Sequence, residues 1–141
     1  MQKKYGTIYV REYIQVAHRL TELPGKCQQI HGHSMLVTLY FDADMTSGYA
    51  CGEDNEVLDF TAVKGLFREY LKKRLDHHLL LSETDPLLVK YGKDAYPGVV
   101  LTPGDPTVEK IAMMINDFFY SGGFPIDRVE VRETETNGVV F

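Results

Sequence analysis

Between Thr7 and Phe41 the chain twice alternates apolar and polar residues with a period of two. Thr7 to Val16 puts Ile8, Val10, Ile14 and Val16 on one parity and Tyr9, Arg11, Tyr13 and Gln15 on the other. His31 to Phe41 repeats the pattern, with Met35, Val37, Leu39 and Phe41 together. Side chains of a strand point alternately to its two faces, so each stretch predicts a strand half-buried against a core. Glu12 interrupts the first apolar face and predicts a bulge or bend. Pro24-Gly25, between the stretches, is a turn signal.

Helical spacing later in the chain supplies the cover for that face. Val63, Leu66, Phe67, Tyr70, Leu71 and Leu75 recur at i, i+3, i+4. Asp59 or Thr61 is positioned to cap this helix, and Lys72, Lys73 and Arg74 suit its C-terminal dipole. Val108, Ile111, Ala112, Ile115, Phe118 and Phe119 form a second stripe, with Thr107 as cap, Glu109 in the first turn and Gly122-Gly123 after the end. Asp42 to Glu56 reads as a polar loop. Ser82 to Pro106 reads as a long irregular segment with Val99-Val100-Leu101 as a short strand inside it. Arg128 to Glu135 alternates again, with Val129, Val131 and Glu133 on one face, and Asn137-Gly138 signals a hairpin turn into Val139-Val140-Phe141. The expected order is β-β-α-α-β-β. That is an α+β fold, an antiparallel four-stranded sheet with two helices on one face, in a single domain over residues 1–141.

Net charge is −5 and no basic block occurs, which argues against a nucleic-acid or anionic-membrane surface. No apolar run approaches the ~20 residues that span a bilayer. Met1-Gln2-Lys3-Lys4-Tyr5-Gly6 is not followed by a signal-peptide core, so the cytoplasm is expected. There a pair such as Cys27 and Cys51 predicts a thiol with a chemical role rather than a disulfide.

The second alternating stretch opens on His31-Gly32-His33. In a strand both imidazoles point to one side, at the end of the apolar face. His18 is placed to complete a three-histidine set, the ligand pattern of an open catalytic zinc site. Ordinary core or surface histidines are the bland alternative. Cys27, four residues before His31, has three readings: a neighbour of the metal, a fourth ligand closing a structural site, or an inert core thiol. Asp76-His77 follows the first helix, and Glu133 is an acid on an otherwise apolar strand face.

Together these residues resemble the 6-pyruvoyltetrahydropterin synthase / 6-carboxytetrahydropterin synthase family. The matching residues are Ala17-His18-Arg19-Leu20, Cys27-x-x-x-His31-Gly32-His33-Ser34, Leu58-Asp59-Phe60, Leu75-Asp76-His77-His78-Leu79, Pro106-Thr107-x-Glu109 and Glu133-Thr134. They occur in the family's order and cover nearly the whole chain. The segments around 42–56 and 83–105 look longer than in compact bacterial members.

The resemblance implies the tunnelling fold, with subunits assembled into trimers, two trimers stacked as a hexamer, and active sites at subunit interfaces. It implies a Zn2+ ion on His18, His31 and His33, and 7,8-dihydroneopterin triphosphate as substrate. Cys27 becomes the general base at the substrate side chain. Asp76 orients His77, which shuttles protons; the bland reading for His77 is a helix-end cap, a role that suits His78 better. Glu133 accepts two N–H bonds from the pterin ring, against the alternative of pairing with Arg128 or Arg132. Thr107 and Glu109 border the same pocket, with simple helix capping as the rival for Thr107. Arg19 and Lys26 are cations near the site by position only.

The three-residue spacer Gln28-Gln29-Ile30 goes with the family branch that makes 6-carboxytetrahydropterin, releasing acetaldehyde and triphosphate, in the queuosine / 7-deazaguanine pathway. A longer spacer goes with the pyruvoyl branch. Two other classes remain open: a non-enzymatic zinc-stabilised module with Cys27 as fourth ligand, and a zinc hydrolase.

Overall fold

The computed structural model describes residues 2–141. The two alternating stretches are longer strands than their core patterns required. β1 runs Tyr5–His18 and β2 runs His31–Asp44, paired antiparallel in unbroken register from Tyr5↔Asp44 to His18↔His31. Even-numbered residues of β1 and odd-numbered residues of β2 face the core, as the alternation required. The bulge expected at Glu12 is absent, since Glu12 pairs with Val37 in register. Its carboxylate instead meets Arg68 of the first helix, so the acid is accommodated by a partner and not by a bend.

The sheet has six strands where four were expected, in the order β4-β3-β1-β2-β5-β6. β3 (His78–Ser82) lies parallel to β1, and β4 (Val99–Thr102) parallel to β3. The sheet is therefore mixed. β5 (Arg128–Arg132) pairs antiparallel with β2, and β6 (Gly138–Val140) with β5. β5 stops at Arg132, short of the expected Glu135, and the chain reverses over residues 133–137, ahead of the Asn137-Gly138 signal. Gly138 is the first residue of β6, and a Cβ there would lie 2.4 Å from the Val131 carbonyl oxygen, so this position must be glycine.

α1 (Phe60–Arg74) and α3 (Val108–Ser121) cover the apolar face. Asp59 caps α1, accepting from the Thr61 N–H at 2.8 Å, and Thr107 caps α3, accepting from Lys110. Val63, Phe67, Tyr70 and Leu71 meet Ile111, Ala112, Ile115 and Phe119 over Val10, Ile14, Met35, Val37 and Leu39. The segment expected to be irregular, 82–106, contains the end of β3, a short helix α2 (Pro86–Tyr91) started by the Asp85 cap, and β4. The 42–56 segment is pinned by isolated bridges from Cys51 to Asp44 and Val57. On the open face Tyr9 packs beside Tyr40, with Arg11 over the first ring and Arg128 over the second. No helix among the described residues is long and apolar enough to cross a membrane.

Candidate metal centre and surrounding site

His18 ends β1 and His31 begins β2 directly opposite it. His33 follows on the same face, because Gly32 points away. The strand pairing thus brings the three rings together, with centroids 4.6, 5.2 and 5.0 Å apart. One nitrogen from each lies within 4.8 Å of the others, a group able to hold a metal ion.

The ring nitrogens are already sorted. His18 Nδ1 lies 2.8 Å from the Pro106 carbonyl oxygen and His31 Nδ1 lies 2.8 Å from that of Gln29. A carbonyl only accepts, so each Nδ1 carries a hydrogen, and in the neutral imidazole Nε2 is then the nitrogen with the lone pair. Anchoring one ring nitrogen on a carbonyl is how proteins orient metal-binding imidazoles. His18 Nε2 is buried with no hydrogen-bond partner. Burial, reinforced by the neighbouring His31 and His33 and only partly opposed by the Pro106 bond and Glu133, holds the His18 pKa below its usual 6.5. The imidazole is neutral at pH 7, the form that ligates. An orphaned, neutral nitrogen aimed at two more imidazoles fits a metal ion.

Glu133 sits just past β5 on the face predicted for it. Its Oε1 lies 3.8 Å from His18 Nε2 and 3.7 Å from His33 Nε2, and its Oε2 accepts from Asn137 Nδ2 at 3.0 Å. The alternative arginine partners are engaged elsewhere, Arg132 with Glu130 and Arg128 with Asp127. Glu133 therefore faces the histidines.

Cys27 lies in a single 3-10 turn, Lys26–Gln28, and is a half-buried free thiol. It is not among the clustered side chains, which are the three histidines. The segment 19–30 that carries it is held at three points. The Leu20 N–H donates to the Cys27 carbonyl at 2.8 Å. The Asp105 carboxylate accepts from Thr21 N–H at 2.6 Å, Thr21 Oγ1 at 2.7 Å and Glu22 N–H at 2.9 Å. Arg19 Nε lies 3.1 Å from the fully buried Asp85 Oδ2, an ion pair by distance although its angle is poor for a hydrogen bond. Arg19 is thus committed to Asp85, whereas Lys26 is exposed.

Asp76 and His77 do form a pair, with Oδ2 2.9 Å from Nδ1. They dock on Gln15 of β1: Asp76 Oδ1 accepts the Gln15 N–H at 2.7 Å, and His77 N–H donates to the Gln15 carbonyl at 2.7 Å. Burial pushes the Asp76 carboxyl up, but the bonds from Gln15 and His77 outweigh it and hold it below its usual 3.8. His77 adopts φ +60°, a left-handed conformation uncommon outside glycine, though asparagine, aspartate and histidine enter it more readily than other residues. Its side chain is 77% exposed. Within one chain it does not join the histidine cluster, because Gln15 is three residues from His18, about 10 Å along the strand. His78 turns its Nδ1 to the Asp76 carbonyl oxygen, 2.8 Å away.

Thr107 is a helix cap, and Glu109 is exposed on the first turn of the same helix. Both adjoin the site through Pro106, whose carbonyl orients His18. Sequence reasoning missed Asp105, Asp85, Gln15 and Asn137. Asp85 precedes the proline that opens α2, a capping signal that says nothing about the partner across the fold, and Asp105 lies two residues before the Thr107 cap, where a turn is all the sequence announces. A groove of about 560 Å3 lies elsewhere, between α1 and α3 beside Leu66, Tyr70, Met114 and Phe118. It holds none of the predicted site residues.

Residues 7–141 match the family profile described as 6-pyruvoyl tetrahydropterin synthase. The chain belongs to this family of enzymes. A 6-carboxy-5,6,7,8-tetrahydropterin synthase of Synechocystis is 32% identical over 137 residues, covering 95% of this chain and 91% of that protein. One of Haemophilus influenzae is 28% identical over 131 residues, covering 86% and 88%. Among solved structures, 6-pyruvoyl tetrahydropterin synthase of Plasmodium falciparum superposes with a TM-score of 0.68 at 19% identity, over 97% of this chain and 96% of that one. An uncharacterized protein of Wolinella succinogenes gives 0.73 at 15% identity, over 98% of each. These structures share the fold.

Proposed function

We propose that the chain is a zinc-dependent lyase. With the uptake of one water, it converts 7,8-dihydroneopterin triphosphate to 6-carboxy-5,6,7,8-tetrahydropterin, releasing acetaldehyde and triphosphate. The observation that carries the reading is the free, buried Nε2 of His18 facing His31 and His33, with the Nδ1 atoms of His18 and His31 anchored on carbonyls. His18, His31 and His33 hold the ion. Bound zinc supplies Lewis acidity, making a side-chain hydroxyl or the carbon beside it easier to deprotonate.

Cys27 is the base that removes a proton from the substrate side chain, acting as thiolate. Asp76 fixes the hydrogen of His77 on Nδ1 and leaves Nε2 to exchange protons with a side-chain oxygen. Because His77 is remote from the cluster in its own chain, it serves the site of a neighbouring subunit. Glu133 accepts the adjacent N–H groups of the 2-amino-4-oxo pterin edge, and charge-assisted bonds of this kind are strong and directional. Thr107 and Glu109 border the pocket where α3 begins, and the Thr107 hydroxyl retains a hydrogen to donate. The three-residue spacer Gln28-Gln29-Ile30 supports the carboxy branch, as do the names of the Synechocystis and Haemophilus relatives. The product would enter queuosine / 7-deazaguanine synthesis, in the cytoplasm.

The test is incubation of the zinc-loaded protein with 7,8-dihydroneopterin triphosphate, followed by mass spectrometry and an acetaldehyde assay. The expected result is the carboxy product with equimolar acetaldehyde. Conversion to the pyruvoyl compound without acetaldehyde moves the chain to the other branch. No conversion with full zinc occupancy overturns the enzyme reading.

A further inference from the structure

One short segment, Asp105-Pro106, reaches both halves of the site. Its Pro106 carbonyl fixes the ring of His18, and its Asp105 carboxylate holds the Cys27 segment through three hydrogen bonds to Thr21 and Glu22. The histidines are set by strand register, but residues 19–30 leave the sheet and have no ladder to hold them. Besides the Arg19–Asp85 ion pair at its start, the Asp105 clamp ties that excursion to the rest of the fold across more than 80 residues of sequence.

The seat under Asp105 is itself built. Thr102 Oγ1 donates to the Gly104 carbonyl at 2.7 Å, and Glu83 N–H donates to the Thr102 carbonyl at 2.9 Å. Beside it, buried Asp85 caps α2 through Leu87 N–H and faces Arg19, the residue directly after His18. Asp105 touches no reacting group, and its three bonds far exceed what a turn residue needs.

We infer that Asp105 is a positioning residue for Cys27, fixing the distance between the thiol and the three-histidine cluster through Thr21 and Glu22. A carboxylate suits the task because it accepts from all three donors at once, which a neutral amide with one acceptor oxygen cannot do. Misplacing a reacting group by about 1 Å can cost on the order of 100-fold in rate. The catalytic consequence rests on the lyase reading above; the positional one does not.

The experiment compares zinc-loaded wild type with Asp105→Ala, Asp105→Asn and Thr21→Val. Asp105→Ala should keep its zinc, because the Pro106 carbonyl remains. Its Cys27 should react with iodoacetamide at least fivefold faster, with buried Cys51 as internal reference, and its Thr21 and Glu22 amides should exchange hydrogen faster. Asp105→Asn should fall between it and wild type. With 7,8-dihydroneopterin triphosphate, kcat should drop at least tenfold while KM stays within about twofold. Thr21→Val removes one donor from the opposite side and should shift alkylation the same way to a smaller extent, which keeps the test decisive if Asp105→Ala misfolds. Wild-type alkylation and exchange rates in Asp105→Asn and Thr21→Val would overturn the inference. If wild type itself turns nothing over, the lyase reading fails, while the alkylation and exchange results still decide the positioning role.

Discussion

At the scale of single residues, ligand and base should separate cleanly. His31→Ala and His33→Ala each remove one of the three proposed ligands, and both purified proteins should be nearly free of zinc by elemental analysis. Full zinc in either would dismiss that residue as a ligand. Cys27→Ala should bind zinc as wild type does and lose most of its turnover. Loss of its zinc would instead make Cys27 a ligand and favour a closed structural site. Asp76 and Asp105 contribute to the acid limb of stability. Burial raises each carboxyl, but hydrogen bonds from Gln15 and His77 in one case, and from Glu22 and Thr21 in the other, hold both below 3.8 in the folded chain. A depressed folded pKa means the unfolded chain takes up the proton first. Their contribution is thus complete well above pH 3.8 and disappears as pH falls through the lower folded values. Asp76→Asn and Asp105→Asn should narrow their stability gap from wild type as denaturation is measured from pH 6 down to pH 3.

At the scale of elements, the faces of α1 and α3 interlock at Phe67 and Phe119, edge to face with centroids 5.8 Å apart. Phe67 is fully buried, and Phe67→Ala should cost about 3–5 kcal/mol in urea denaturation, the usual range for emptying such a site. A loss under about 1 kcal/mol would mean the helices repack freely. These helices, and strands β1 and β2, were legible because one-sided burial writes a period into the sequence. β3 was not: His78-Leu79-Leu80-Leu81-Ser82 lies inside the sheet and buries successive residues, leaving no alternation to read. α2 is a six-residue helix, less than two turns, whose apolar residues stay at least partly exposed, so its Asp85-Pro86 start was the main cue. The grouping of the three histidines with Glu133, and separately the pairing of Asp76 with His77, were legible from spacing and order. The Asp105 clamp was not, since a bond between residues 84 apart leaves no local pattern.

For the whole molecule, the sheet begins at β4 and ends at β6, and each terminal strand has one side without a partner among the described residues. Such edges favour pairing with another copy. On the proposed reading, it is the same assembly that would bring His77, exposed and distant from its own cluster, to a neighbouring site. Light scattering should therefore find a trimer or hexamer, and a fully active monomer would refute shared sites. The unbroken β1–β2 register has a consequence for fidelity. A slip of one residue in a strand turns every side chain to the opposite face. In β2 it would carry His31 and His33 away from His18, and Met35, Val37, Leu39 and Phe41 into water with them. Each of those four side chains holds about 1.5–3 kcal/mol against exposure. Misalignment of the ligands is thus penalised by the oily interior, and the centre inherits its error-checking from residues that never touch it.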